Sequence, residues 1–341
     1  MRLPSSTKVS LTSTQLDVRA GSDRAFAGDS SSIHPTSVLV IGATGRVGKE
    51  VVKKLSSFHK ECKINCLVRD ISSKDAINLA SNSNVELYEG SVDNMDSLIA
   101  ATKGCQVVVD VHGMKPPRFT KLPYDLFFHP SKDKTHPYNV NYLGTKRVLA
   151  AMKINNVQKL VRITGSLTGK SALFILTIMF NLLLSMSPKW HERSEMIIRE
   201  SGIDYTVIRP TGISSEPSAI DTQRSLIMLQ GDTKQRPPKN ANKISVQDLS
   251  ELIFRSTQNL RYLSRTSVVV SSRVGTDGMQ DWNQQVIESM YPDHITMKPH
   301  RHALVTSLVG SLLIPSLISG IYFIVKQIVK TIKAFIVRMS V

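Results

Sequence analysis

Between Val38 and Val270 the chain alternates two hydrophobic patterns. Short, mainly apolar runs occupy Val38 to Ile41, Ile64 to Val68, Val85 to Tyr88, Gln106 to Val111, Leu160 to Thr164, Tyr205 to Arg209 and Ser267 to Val270. A strand wetted on one side alternates apolar and polar residues, so runs such as Val38-Leu39-Val40-Ile41 predict strands buried on both faces. Between most of them, at Val47 to Leu55, Met95 to Thr102, Val140 to Lys153 and Arg193 to Ser201, apolar residues recur at helical spacing. Strands separated by helices pair in parallel, because the helix carries the chain back across the sheet. The expected fold class is α/β: a doubly wound parallel sheet covered on both faces.

Three stretches interrupt this alternation. Gly113 to Pro137 contains Pro116, Pro117, Pro123, Pro130 and Pro137 and predicts a long surface loop. Ala172 to Met186 is apolar except for Thr177, Asn181 and Ser185. Its length falls short of the ~20 residues that span a bilayer, so it predicts a buried or interfacial helix, with a membrane-dipping element as the alternative. Ala303 to Val325 holds no charged residue and is long enough to span a membrane, with a kink expected at Pro315; a C-terminal helix packed on the α/β body is the alternative. After it, Ile328, Val329, Ile332, Phe335, Ile336 and Met339 recur at helical spacing among basic residues, the pattern of an amphipathic helix at a headgroup layer.

The expected organisation is a leader over residues 1–36, the α/β domain over 37–299 whose part from about 213 forms a small C-terminal cap, and a hydrophobic helix with a basic amphipathic tail over 300–341. The leader is rich in Ser and Thr, with Arg2, Lys8, Arg19 and Arg24 among Asp17, Asp23 and Asp29. No apolar stretch follows its first basic residue, which argues against a secretory signal and leaves an organelle transit peptide or an unstructured segment.

Charge reinforces the membrane reading. The 341 residues hold 43 Lys and Arg against 27 Asp and Glu, a formal net charge of +16. Lys298, Arg301, Lys326, Lys330, Lys333 and Arg338 all follow the last acidic residue, Asp293, and bracket the uncharged stretch. Basic residues so placed meet anionic headgroups. Membrane lipid is therefore the expected partner, and with no recognised motif present nucleic acid is not. Cys62, Cys66 and Cys105 are too few for a disulfide scaffold and lack zinc-type spacing, so no metal is expected.

The clearest chemical signal is Ile41-Gly42-Ala43-Thr44-Gly45-Arg46-Val47-Gly48, between the first strand and the first helix. Gly42 permits a tight turn, Gly45 lets the backbone approach a pyrophosphate, and Gly48 allows close helix–strand packing. The amides and positive dipole end of the helix attract phosphate. Strand, loop and helix in this order predict dinucleotide binding by a Rossmann fold. About twenty residues further on, where an acid selects the NAD 2′-hydroxyl and an arginine the NADP 2′-phosphate, the chain reads Val68-Arg69-Asp70. With Arg69 first and Arg46 as a second cation, NADP(H) is the preferred cofactor and NAD(H) the alternative.

Together with Gly90-Ser91-Val92-Asp93, Asn141-x-x-Gly144-Thr145, Val161-Arg162-Ile163-Thr164-Gly165-Ser166 and Glu195-x5-Ser201-Gly202-Ile203-Asp204-Tyr205-Thr206-Val207-Ile208-Arg209-Pro210, this loop resembles the atypical short-chain dehydrogenase/reductases. The likeness is nearest to their NAD(P)H-binding, NmrA-like group and covers roughly Ser37 to Gln258. It implies that Gly42, Gly45 and Gly48 form the phosphate loop, that Arg69 discriminates NADP, that Ser166 faces the nicotinamide and that Pro210 shapes the loop beside that ring. Ser91 stands where many relatives carry an adenine-contacting Asp.

The superfamily's usual proton donor is a Tyr-x-x-x-Lys pair. Tyr142-x-x-x-Lys146 has that spacing but precedes the fifth strand, whereas the active pair follows it, and Leu167 to Asp204 contains no tyrosine. Aligning Glu195-x5-Ser201-Gly202 with the family's Lys-x-x-x-Glu pattern puts His191 at the lysine position, beside Trp190. His191 is then a ribose contact, a general acid, or a surface histidine on a helix; Lys170 and Lys189 are substitutes without distinctive spacing. The protein these features imply is a membrane-attached NADPH-dependent oxidoreductase for an apolar substrate, in a plastid or mitochondrion or on the cytosolic face of a membrane. Its rival is a non-catalytic NADP(H)-sensing or assembly protein acting on a membrane protein partner. A flavin- or quinone-type reductase that takes its proton from solvent is the third reading.

Overall fold

The computed structural model describes residues 34–58, 60–113, 133–215, 224–232, 237–238, 241, 243–258, 262–274, 290–293, 297, 304–306 and 308–309. The expected leader up to residue 33, most of the proline-rich stretch (114–132), most of the expected span and the whole amphipathic tail lie outside the described residues. The chain divides into two compact units: Met1–His112, Lys146–Ser166 and Ile197–Thr296 form one, and Gly113–Thr145, Leu167–Met196 and Met297–Val341 the other.

The strands are β1 (Ser37–Ile41), β2 (Lys63–Val68), β3 (Val85–Glu89), β4 (Val107–Asp110), β5 (Lys159–Ile163), β6 (Asp204–Pro210), β7 (Ile213–Ser214), β8 (Arg224–Gln230), β9 (Ile244–Ser245) and β10 (Thr266–Val274). The helices are α1 (Arg46–Phe58), α2 (Lys74–Ala80), α3 (Met95–Thr102), α4 (Gly144–Ile154), α5 (Ile175–Leu183), α6 (Ser187–Glu200) and α7 (Val246–Gln258). In the first unit eight strands form one sheet in the order β3-β2-β1-β4-β5-β6-β10-β8. Seven are parallel, and β8 pairs antiparallel with β10 at the edge. Strand order reverses between β1 and β4, which opens a crevice at their carboxyl ends, where open α/β sheets bind ligands.

Strand β1 shows why its residues are apolar throughout. Val38 and Val40 point into a core shared with Val51 and Leu55 of α1 and Leu252 and Ile253 of α7. Leu39 and Ile41 point into the opposite core, with Leu98 of α3, Val148 and Met152 of α4 and Ile198 of α6. Short helices are fixed by their caps: the Ser73 hydroxyl accepts from Ala76 N–H at 3.4 Å, and the Asn94 side chain from Ser97 N–H at 3.2 Å. The stretch expected to form a cap instead lends β8, β10 and α7 to the main sheet and its cover, leaving β7 and β9 as a separate two-stranded pair.

A charge network, buried except at Asp232, ties the far half of this sheet together. Arg199 Nη1 lies 2.6 Å from Asp232 Oδ2, Arg199 Nη2 3.2 Å from Asp293 Oδ2, and Arg209 Nη2 3.0 Å from Asp232 Oδ1. Ser267 Oγ donates to Asp293 Oδ2 at 2.6 Å.

In the second unit a π-helical turn, Tyr138–Leu143, leads into α4. Helix α5 occupies the middle of the expected apolar helix and ends where Ser185 (φ 49°) and Met186 (φ 59°) reverse the chain. Its large apolar side chains are mostly exposed, and burial is confined to the Thr177, Ile178 and Asn181 side. Among the described residues no helix is long and apolar enough to cross a membrane.

Candidate dinucleotide site

Gly42 leaves β1 with φ +85°, a conformation that side chains resist. A Cβ there would also meet the backbone nitrogen of His112 at 3.0 Å, so the turn presses directly on the chain leaving β4. The Gly45 N–H donates to the Gly42 carbonyl (2.9 Å), and the Lys49 N–H donates to the Gly45 carbonyl (2.9 Å), which starts α1. At Gly48 a Cβ would stand 2.2 Å from the Gly42 oxygen. Ala43 and Val47 are buried, whereas Gly45 and Arg46 are exposed and Thr44 half-buried. The result is a bare backbone turn at a helix N-terminus, open at Gly45 and closed by close packing at Gly48, and it fits a pyrophosphate.

At the end of β2, Arg69 and Asp70 are both exposed. Asp70 accepts from the Ser72 hydroxyl (2.6 Å) and N–H (2.8 Å). Those bonds, the hydroxyl's foremost, hold its carboxyl below the ordinary aspartate value. The carboxylate is thus engaged with its own turn. Half-buried Ser91 donates its hydroxyl hydrogen to Asp93.

Beside the glycine turn lies a cluster that sequence reasoning missed. Asp110, fully buried at the end of β4, accepts from Arg162 Nη1 at 2.8 Å and contacts His112 Nδ1. Arg162 of β5, also fully buried, donates to the His112 carbonyl at 2.9 Å. Burial alone would raise the Asp110 pKa; the charges of Arg162 and His112 and the His112 hydrogen bonds outweigh it and hold the carboxyl below its ordinary value. The signal was present: an Asp and an Arg at the ends of apolar strands need partners, because an unpaired charge there is prohibitive.

Ser166 and Pro210 are held together at the next strand ends. The Thr164 N–H donates to the Ile208 carbonyl (3.0 Å) and the Ser166 N–H to the Pro210 carbonyl (3.2 Å). Within the second unit, His191 Nε2 lies 3.3 Å from Asn141 Nδ2, which itself sits in the π-helical turn. Trp190 packs edge-on against Tyr138 at 4.8 Å and in a tilted arrangement against Tyr142 at 5.9 Å, so Tyr142 takes part in this ring cluster. Lys189 Nζ stands 4.2 Å above the Trp190 ring, and burial, then the Arg193 charge, lowers its pKa. Ser166 belongs to the first unit and His191 to the second.

Residues 42–259 match the family described as NAD(P)H-binding. An uncharacterized chloroplastic protein of Arabidopsis thaliana is 30% identical over 197 residues, 56% of this chain and 57% of that protein. Protein TIC 62, chloroplastic, from the same plant is 23% identical over 210 residues, 58% of this chain and 30% of that protein. The chain therefore spans less than two thirds of either relative. Among solved structures, a wide-type short-chain dehydrogenase/reductase of Veillonella parvula in complex with NADP superposes with a TM-score of 0.52 at 18% identity, covering 69% of this chain and 94% of that one. At that identity the likeness concerns the fold alone.

Proposed function

Because the chain belongs to the NAD(P)H-binding family, we propose that it is a membrane-attached plastid oxidoreductase that uses NADPH to reduce an apolar substrate. The Gly42–Gly48 turn carries this reading: its backbone can accept a pyrophosphate at Gly45, and at Gly48 it tolerates no side chain. Arg69 is assigned the 2′-phosphate, since the neighbouring Asp70 carboxylate is committed to Ser72 rather than to a ribose hydroxyl. NADPH bound there would supply a hydride. In this reading the Ser166 hydroxyl faces the nicotinamide. His191, as the imidazolium, is the candidate proton donor. Pro210 shapes the loop beside the nicotinamide. The plastid location follows the chloroplastic relatives, and the attachment rests on Ala303 to Val325.

Titration with NADPH and NADH tests the cofactor. Losing one charge-assisted contact in Arg69→Ala should weaken NADPH by roughly tenfold or more and leave NADH nearly unchanged. Undiminished NADPH affinity refutes the 2′-phosphate role. A second reading, a non-catalytic NADP(H) sensor or assembly protein, is favoured by the lack of tyrosine from Leu167 to Asp204. Persistent silence toward carbonyl, quinone and flavin acceptors with cofactor bound would select it. Alkaline carbonate extraction tests the attachment: release of the full chain into the soluble fraction excludes a span.

A further inference from the structure

We propose that the outward face of α5 is a lipid-docking surface, seating the second unit in the interfacial layer of an anionic bilayer. The inference rests on the membrane attachment proposed above and adds a second point of contact to it. A surface helix ordinarily turns its apolar stripe inward. Helix α5 is inverted. Ile175, Leu176, Met179, Phe180 and Leu183 are between 38% and 61% exposed, as is Leu173 just before the helix (75%), whereas Thr177 and Asn181 are buried with Ile178. The polar side is anchored: Asn181 Oδ1 accepts from the Lys189 N–H (3.4 Å), and the Asn181 carbonyl accepts from the Met186 N–H (2.9 Å). Positions 176, 179, 180 and 183 fall on one helical stripe, so this is a contiguous surface rather than scattered exposure.

Charge and length choose the occupant. No acidic residue lies between Lys170 and Lys189, the cations that bound this stretch in sequence. That pattern suits acyl chains beneath a negatively charged headgroup layer. The unit holding α5 carries 14 Lys and Arg against 4 Asp and Glu, and it includes the acid-free chain beyond Met297. With nine residues and a rise of ~1.5 Å per residue, α5 cannot cross a hydrocarbon core ~30 Å thick. It would lie in the plane of the interface, apolar stripe toward the lipid.

All three native cysteines are buried, so Met179→Cys in the full chain can be labelled selectively with a thiol-reactive bimane. Emission and co-sedimentation are then followed with phosphatidylglycerol-containing vesicles bearing nitroxide acyl chains. The label at 179 should be quenched on binding to the nitroxide-bearing vesicles and not on binding to the same vesicles without nitroxide. Leu176→Glu with Phe180→Glu should reduce partition to vesicles roughly tenfold while NADPH affinity is retained. Co-sedimentation without quenching at 179 overturns the docking surface and leaves attachment standing. Absence of sedimentation overturns both. A label already shielded before vesicles are added, and indifferent to them, also overturns the proposal by assigning the stripe to another segment of this chain or to a second copy.

Discussion

Replacing Gly48 by alanine puts a methyl group where α1 rests on the glycine turn. Its Cβ would lie 2.2 Å from the Gly42 oxygen, 2.8 Å from Ala43 Cα and 2.9 Å from the Gly42 carbonyl carbon, all backbone atoms. Cβ atoms essentially never approach within 3.0 Å, so the helix must withdraw by about 0.8 Å from that oxygen. Because α1 buries Val47, Val51, Val52 and Leu55, the shift strains a shared core. Overpacking of this kind costs about 1–3 kcal/mol. For a domain of this size that is a Tm lower by about 3–10 °C. The loop amides also lose their aim, and forfeiting one charge-assisted hydrogen bond of ~1.5–3 kcal/mol weakens NADPH roughly 10- to 100-fold. Gly45→Ala separates the two effects. There the Cβ would meet only the Gly42 oxygen, at 3.1 Å, so Tm should stay within ~2 °C of wild type. The methyl group would nevertheless face the pyrophosphate, and affinity should fall by a similar factor. Nicotinamide fluorescence titration and a thermal melt measure both quantities. Wild-type Tm and affinity in Gly48→Ala, or undiminished affinity in Gly45→Ala, would refute the reasoning.

Asp110→Asn leaves the fully buried Arg162 without its counter-charge and should cost about 3–5 kcal/mol in a denaturant melt. Since the folded Asp110 pKa lies below the ordinary 3.8, its stabilisation is complete above that value and is lost as pH falls through the folded one; an acid limb identical in wild type and variant would contradict the pair's role. Lys159, desolvated by burial, has its pKa pulled from 10.5 to about 8, so the folded state prefers it neutral. Stability should rise between pH 8 and 10.5 by about 3 kcal/mol, and Lys159→Met should abolish that slope in Tm against pH. If His191 is the proton donor, His191→Gln should lower kcat about 10²- to 10⁴-fold with NADPH affinity intact; an unchanged kcat removes His191 from the chemistry.

The central strands were legible because Val38 to Ile41 and Val107 to Val109 are buried on both faces, which leaves no polar position to blur the run. The glycine turn was legible because its geometry admits few other residues. Strand β8 and helix α7 were not recognised, since nothing local states that residues near 226 pair with residues near 272 across a long connection. The Asp110–His112–Arg162 cluster escaped because its members come from two strands whose register is a tertiary fact. For α5, composition announced an apolar helix, yet which side faces out depends on where Thr177 and Asn181 find their places, and no periodicity encodes that.

The network of Arg199, Arg209, Asp232 and Asp293 sets a timetable for biosynthesis. Both guanidinium groups are made long before Asp293, and Arg199 is fully neutralised only when that late carboxylate arrives. A ribosome must therefore release the chain through residue 293 before the half of the sheet around β6 and β10 can lock. Nascent chains stalled earlier would present a half-zipped sheet to chaperones and proteases.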